Sequence, residues 1–354
     1  MNNPGWESGD KMGAGIAKET LGRKLVLGFL YFLMALGAVF LLVIMQTVAF
    51  DGVYFFGVIR GYDGDVFTAA HDGTSTFIYA VITIPVMYLY LKLIRLKSEP
   101  KYMNEKLNTA QIVFSVVCAL GVSGVVNIYF LTVAAIAEKL TPVADEIQKY
   151  SEAVDRYSDI AAVDIPVFDH ILNFIGVCIL VPVVEELTFR AGVLQTLLKR
   201  FRPTVSVLLS AAIFGALHMR SVQIGYAFIA GILLGWIYIY TKSIRSTIIM
   251  HMIFNALGSG ITTFLQSGMF GDMKAVVEAF TVYTALWEFA FIIPSIVCFI
   301  FLRSMYKNSV RIDTGVKPAA ALAVDKVAEA AVPVPAPAED VPSEPSGDEN
   351  NEQA

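Results

Sequence analysis

The run LVLGFLYFLMALGAVFLLVIMQTVAF, residues 25–50, holds 26 consecutive positions without a charged side chain. A bilayer core about 30 Å thick is crossed by about 20 residues of helix, so this segment is long enough to span one. It is also too long for the apolar core of a cleavable signal peptide. Runs of the same character recur near residues 75–94, 109–136, 170–198, 203–219, 222–241, 246–265 and 281–302. The whole chain agrees with them: its 354 residues are 56% hydrophobic and only 16% charged, where a soluble domain carries about 25% charged residues. The fold class that follows is all-α, a polytopic membrane bundle of about eight transmembrane helices. Nucleic-acid binders, secreted disulfide scaffolds and soluble α/β enzymes are excluded. Cys118, Cys178 and Cys298 all fall inside apolar runs with no CxxC spacing, and read as small packing residues.

Working outward, the polar connections alternate in charge. Lys11, Lys18, Arg23 and Lys24 precede the first span, and Asp51, Asp63, Asp65 and Asp72 follow it. The next connection is basic (Lys92, Arg95, Lys97, Lys101, Lys106), and the one after, from Glu138 to Asp169, is acidic. Lys199, Arg200 and Arg202, then Lys242 and Arg245, then Arg303, Lys307 and Arg311 mark further basic turns. The positive-inside rule puts both termini in the cytoplasm of a multi-pass protein of the cell membrane. Ile147, Tyr150, Val154 and Tyr157 recur at helical spacing, which predicts a surface helix within 138–169. The chain divides into a cytoplasmic segment 1–24, a helical membrane domain 25–305 and an acidic Ala/Pro-rich tail 306–354 too poor in apolar residues to fold.

Ionisable side chains inside a membrane span cost at least about 2.5–3.5 kcal/mol each on insertion scales. Almost all of them sit on three predicted helices: Glu185, Glu186 and Arg190; His218 at a span end; and His251 with Asn255. Glu186 and Arg190 are four apart and share a helical face as an ion pair, while Glu185, rotated by about 100°, faces elsewhere. Pro182 lies just upstream, where it removes a backbone hydrogen bond and kinks the helix. Phe214 and His218 are also four apart, as are His251 and Asn255. A desolvated carboxylate beside imidazoles can act as general base on water. Two imidazoles and a carboxylate also make a catalytic zinc set with one open position. An asparagine or histidine can donate to the oxyanion formed when water attacks a peptide carbonyl. A straight span ending at Lys199 would leave Glu185 and His251 at different depths, so 193–202 is expected to lie along the interface as an amphipathic segment.

Glu185-Glu186-x-x-x-Arg190, Phe214-x-x-x-His218 and His251-x-x-x-Asn255 resemble the three signature motifs of the CPBP intramembrane metalloproteases. That family comprises the CAAX prenyl proteases and the bacteriocin-processing or immunity (Abi) proteins. The motifs stand in order on separate predicted spans, and the resemblance covers about residues 165–265. It implies a helical bundle around a membrane-embedded cavity and an endopeptidase acting on a membrane-associated protein or peptide. It further implies Glu185 as the base that activates water, supported by Glu186 and Arg190, with His218, His251 and Asn255 as ligands or oxyanion partners. Whether water is activated by glutamate alone or on a bound metal is left open by the motifs; the expectation is a divalent metal, zinc, at Glu185, His218 and His251.

Competing readings are specific. Gly121-Val122-Ser123-Gly124 matches the GxSG of intramembrane serine proteases, although small residues on a membrane helix ordinarily serve close packing. A non-proteolytic protein of the same fold, an immunity factor, scaffold or ion-coupled transporter, is the alternative function. His71, His170 and Glu288 read as boundary or packing residues.

Overall fold

The computed structural model describes residues 20–94, 103–149, 165–219 and 221–313. The expectations for the N-terminal segment, for Tyr150, Val154 and Tyr157 and for the acidic tail fall outside these residues, apart from a few at their edges. Contacts define two units. Met1–Lys307 holds the helical bundle; of Asn308–Ala354, residues 308–313 are described and are helical.

Helices α1 (Leu21–Ile59), α2 (Gly64–Ala70), α3 (Asp72–Ile94) and α4 (Thr109–Ala137) are followed by a short helix α5 over 141–149. Then come α6 (Val167–Leu197), α7 (Pro203–Ala216), α8 (Ser221–Thr241), α9 (Ile244–Leu265), α10 (Lys274–Ala290) and α11 (Ile292–Asp313). Side chains fix several of the starts. Thr20 caps α1 by accepting from the Arg23 backbone, and Asn108 and Gln111 cap α4 reciprocally as a capping box. The cap of α3 comes from 96 residues away: the Asp169 carboxylate accepts from the Gly73 and Thr74 backbone N–H groups, each at 2.8 Å, and from the Thr74 hydroxyl at 2.7 Å. Glu146 on α5 accepts from Ser221 at 2.7 Å, tying the connection after α4 to the start of α8. The Lys149 ammonium and this hydroxyl hold the exposed Glu146 carboxyl below its ordinary range.

Each of the eight apolar runs lies on a helix, and six or seven of them pass as spans by length and composition alone. Six helices are long and apolar enough to cross a membrane, and α10 with α11, bent by 49° at their junction, count as a seventh when the pair is taken as one span. The run 203–219 yields only the 14 residues of α7, about 21 Å of helix, less than a bilayer core. The first span is longer than expected: α1 continues through Asp51 to Ile59, 39 residues in all and about 58 Å. Large apolar side chains such as Phe29, Phe40, Leu93, Tyr283 and Ile293 stay exposed along these helices, as lipid-facing surfaces do. This is a multi-pass membrane protein.

The core wraps α6. Val184, Leu187, Phe189, Ala191, Val193, Leu194 and Leu197 are buried there against α1, α3, α7, α8 and α9. The expectation of an interfacial 193–202 is therefore overturned in its first half: Val193, Leu194, Leu197 and Leu198 are core residues. The depth argument assumed an α-helical rise throughout, whereas α6 contains two wide π-helical stretches, Gly176–Leu180 and Leu187–Leu194.

Candidate active site

The local structure of α6 follows from Pro182. In the wide turn before it, the Val181 N–H bonds the Gly176 carbonyl five residues back. In that register the Val177 carbonyl would be served by residue 182, a proline with no N–H. The carbonyl is satisfied instead from α9, by Asn255 Nδ2 at 2.9 Å. The proline thus fastens α9 to α6, beyond the simple kink expected of it. One Asn255 N–H is taken, and the second is left for the cavity that Asn255 lines.

One turn further on, Glu185 and Glu186 diverge. Glu186 is fully buried, with Oε2 3.1 Å from Arg190 Nε and Oε1 3.0 Å from His251 Nδ1. Arg190 is equally buried, and the contact with Glu186 is an ion pair without hydrogen-bond alignment: none of the three guanidinium nitrogens has a hydrogen-bond partner among the described residues. The guanidinium instead lies over the Phe214 ring, 5.2 Å from its centroid. The ring is a hub, with Phe189 at 4.8 Å, His218 at 5.0 Å and His251 at 6.0 Å. The Glu185 side chain keeps 20% of its surface, and its Oε2 lies 3.4 Å from His251 Nε2. Arg190, Glu186, His251 and Glu185 therefore form one continuous chain from α6 to α9 and back.

Hydrogen bonding assigns the imidazole protons. Carboxylate and carbonyl oxygens only accept, so His251 Nδ1 donates to Glu186, and His218 Nδ1 donates to the Phe214 carbonyl at 2.9 Å. A neutral His218 then presents its Nε2 lone pair. His218 is not on a span as expected. α7 ends at Ala216, and the following turn, closed by the bond from the His218 N–H to the Gly215 carbonyl, carries the ring.

Two cavities meet at this point. The first, about 680 Å³, is lined by Glu185, His218, His251 and Asn255 together with α4 and α10. The second, about 430 Å³ and mostly apolar, lies against α1 and α3, and shares Glu185, Phe214 and His218 with the first. Four of the six expected residues thus face a cavity, and Glu186 and Arg190 stand behind them. The sequence reading missed Glu288 and Asn127, which line the first cavity and are hydrogen-bonded to each other at 2.6 Å. The available signal was that Glu288 is ionisable inside an apolar run. His71 stacks on Phe67 at 4.1 Å and lines neither cavity.

The expected metal set does not close. Among the described residues no three His, Cys, Asp or Glu side chains are grouped so as to hold a metal ion, and Glu185, His218 and His251 do not form such a group. The serine reading loses its support as well. Ser123 Oγ donates to the Ala119 carbonyl at 3.2 Å, and Gly121 and Gly124 face backbone atoms of Phe291 and Glu288 so closely that a Cβ would collide. The two glycines serve packing, while Ser123 lines the first cavity beside Glu288.

No curated protein and no solved structure matches the chain. Residues 167–257, which run from the start of α6 to just past Asn255 and so hold all three motifs, match the family model described as Type II CAAX prenyl endopeptidase Rce1-like. It is to the proteases of this family that the segment carrying the site is similar.

Proposed function

We propose that the protein is an intramembrane endopeptidase of the cell membrane, with both termini cytoplasmic, that hydrolyses a peptide bond in a membrane-associated protein or peptide. The observation that carries this reading is the position of Glu185. It is a partly open carboxylate at the meeting of two cavities, beside His218 and 3.4 Å from a histidine that a buried acid holds in place.

In this reading a water in the cavity is held by the Glu185 carboxylate and the His218 Nε2 lone pair. Glu185 takes one proton as the water oxygen bonds to the peptide carbonyl carbon. The carbonyl oxygen gains the negative charge and is met by the free Asn255 amide hydrogen. Collapse of the tetrahedral adduct breaks the C–N bond, and Glu185 returns its proton to the leaving nitrogen. Glu186 takes no part in bond changes. Between Arg190 and His251 it fixes the ring and its tautomer.

The test uses the full chain reconstituted in liposomes with a pool of membrane-derived peptides, with new termini read by mass spectrometry. Glu185→Gln should reduce turnover by about 10²–10⁴-fold, the range for loss of a general base, while Ser123→Ala keeps it. Turnover that survives Glu185→Gln would contradict the assignment. A chelator should leave turnover intact, and loss of activity restored by added zinc would return the metal-assisted form.

A further inference from the structure

Outside the family-matched segment, the first cavity carries a second polar centre. Gly124 lets α4 approach the Glu288 backbone of α10 closely, and one turn further along α4 Asn127 Nδ2 donates to Glu288 Oε2 at 2.6 Å. Glu288 is 5% exposed, and what it exposes is the cavity it shares with Glu185, His218 and His251. Its contacts do not account for its charge. A neutral glutamine would hold Asn127 equally well without the cost of an acid among apolar helices. Among the described residues no cation pairs with it. Ser123 adds a second neutral donor to the carboxylate; because the amide nitrogen is the donor at Asn127, its Oδ1 and the remaining lone pairs of Glu288 stay as acceptors. A pair of acceptors, one of them anionic, is matched by a strong donor bearing positive charge.

We propose that Glu288, with Asn127 beside it, is a selectivity site that binds a lysine or arginine side chain of the peptide cleaved at Glu185. A basic side chain suits such a cavity because its aliphatic stem packs on apolar walls while the charged head reaches the carboxylate. The proposal rests on the protease reading for its biological meaning, but the binding it predicts does not.

The experiment measures retention of apolar decapeptides by the full chain in nanodiscs, carrying Glu185→Ala so that bound peptide is not consumed. The peptides differ only in one residue, Lys, Arg, Gln, Met or Glu, moved through successive positions. At one position Lys and Arg peptides should be retained about tenfold better than the Met peptide, as a charged hydrogen bond allows. In a Glu288→Gln protein that still elutes as a single species, the ratio should fall to near one. Equal retention of Lys and Met peptides at every position, retention of neither, or a preference that survives Glu288→Gln would overturn the proposal. The same peptides are offered in parallel to the chain with Glu185 intact. A Glu288-dependent preference without any cleavage would sink the protease reading and leave this site standing.

Discussion

Glu185 and Glu186 are neighbours in sequence with opposite environments. Glu186 has no exposed side-chain surface and holds Arg190 and His251 in the interior, whereas Glu185 opens on both cavities. Their substitutions should therefore separate. Glu186→Gln leaves the Arg190 guanidinium uncompensated in the core, and removing one partner of a buried ion pair costs about 3–5 kcal/mol. Thermal unfolding in detergent should show a clearly lowered midpoint for Glu186→Gln and an almost unchanged one for Glu185→Gln. Equal midpoints would contradict the division of roles. At this scale much was legible in the sequence. The four-residue spacing of Glu186 and Arg190 gave their pairing, and the 100° offset gave the separate direction of Glu185. The Glu288–Asn127 pair and the Asp169 cap were not legible, because each joins residues that are adjacent only after helices far apart in sequence have packed.

Among the elements, α6 departs most from an ideal helix. The proline that withholds an N–H, the wide turn before it and the Asn255 amide that satisfies the stranded Val177 carbonyl form one arrangement. Pro182→Ala returns a donor at residue 182. The turn should then close to α-helical register, and the Asn255 contact should be lost. The expected outcome is a protein of equal or greater thermal stability, since proline is the poorest helix former by about 3 kcal/mol, but with activity reduced severalfold. Activity measured beside the unfolding midpoint checks this, and undiminished activity would mean that the Val177–Asn255 bond does not position the site. Sequence periodicity locates apolar helices but carries no signal for a change from i→i+4 to i→i+5 bonding. That is why α6 reads as a straight helix with a kink, and why 193–202 reads as interfacial when half of it is core.

At the scale of the molecule, the match to the protease family ends at residue 257, yet the cavity is closed by α4 and α10 on the far side of that boundary. The three motifs and the far wall of the cavity they line thus come from different parts of the chain. The basic turns predict that both termini lie on one side of the membrane, which requires an even number of crossings. With six long helices and one bent pair, α7 and its turn must return the chain despite their short length. Reporters fused at the N- and C-terminus should report the same compartment, and opposite compartments would make α7 a re-entrant segment. The number of apolar runs was readable from composition alone. Which of them fully cross was not, because the depth of a short helix is decided by packing against its neighbours.

The most direct test of the central claim compares the peptide termini in cells expressing the wild-type chain with those in cells expressing Glu185→Ala at equal membrane levels. New termini in membrane-associated proteins that depend on Glu185 are the predicted result. Identical profiles across growth conditions would contradict the protease account and favour a non-proteolytic role for the same fold.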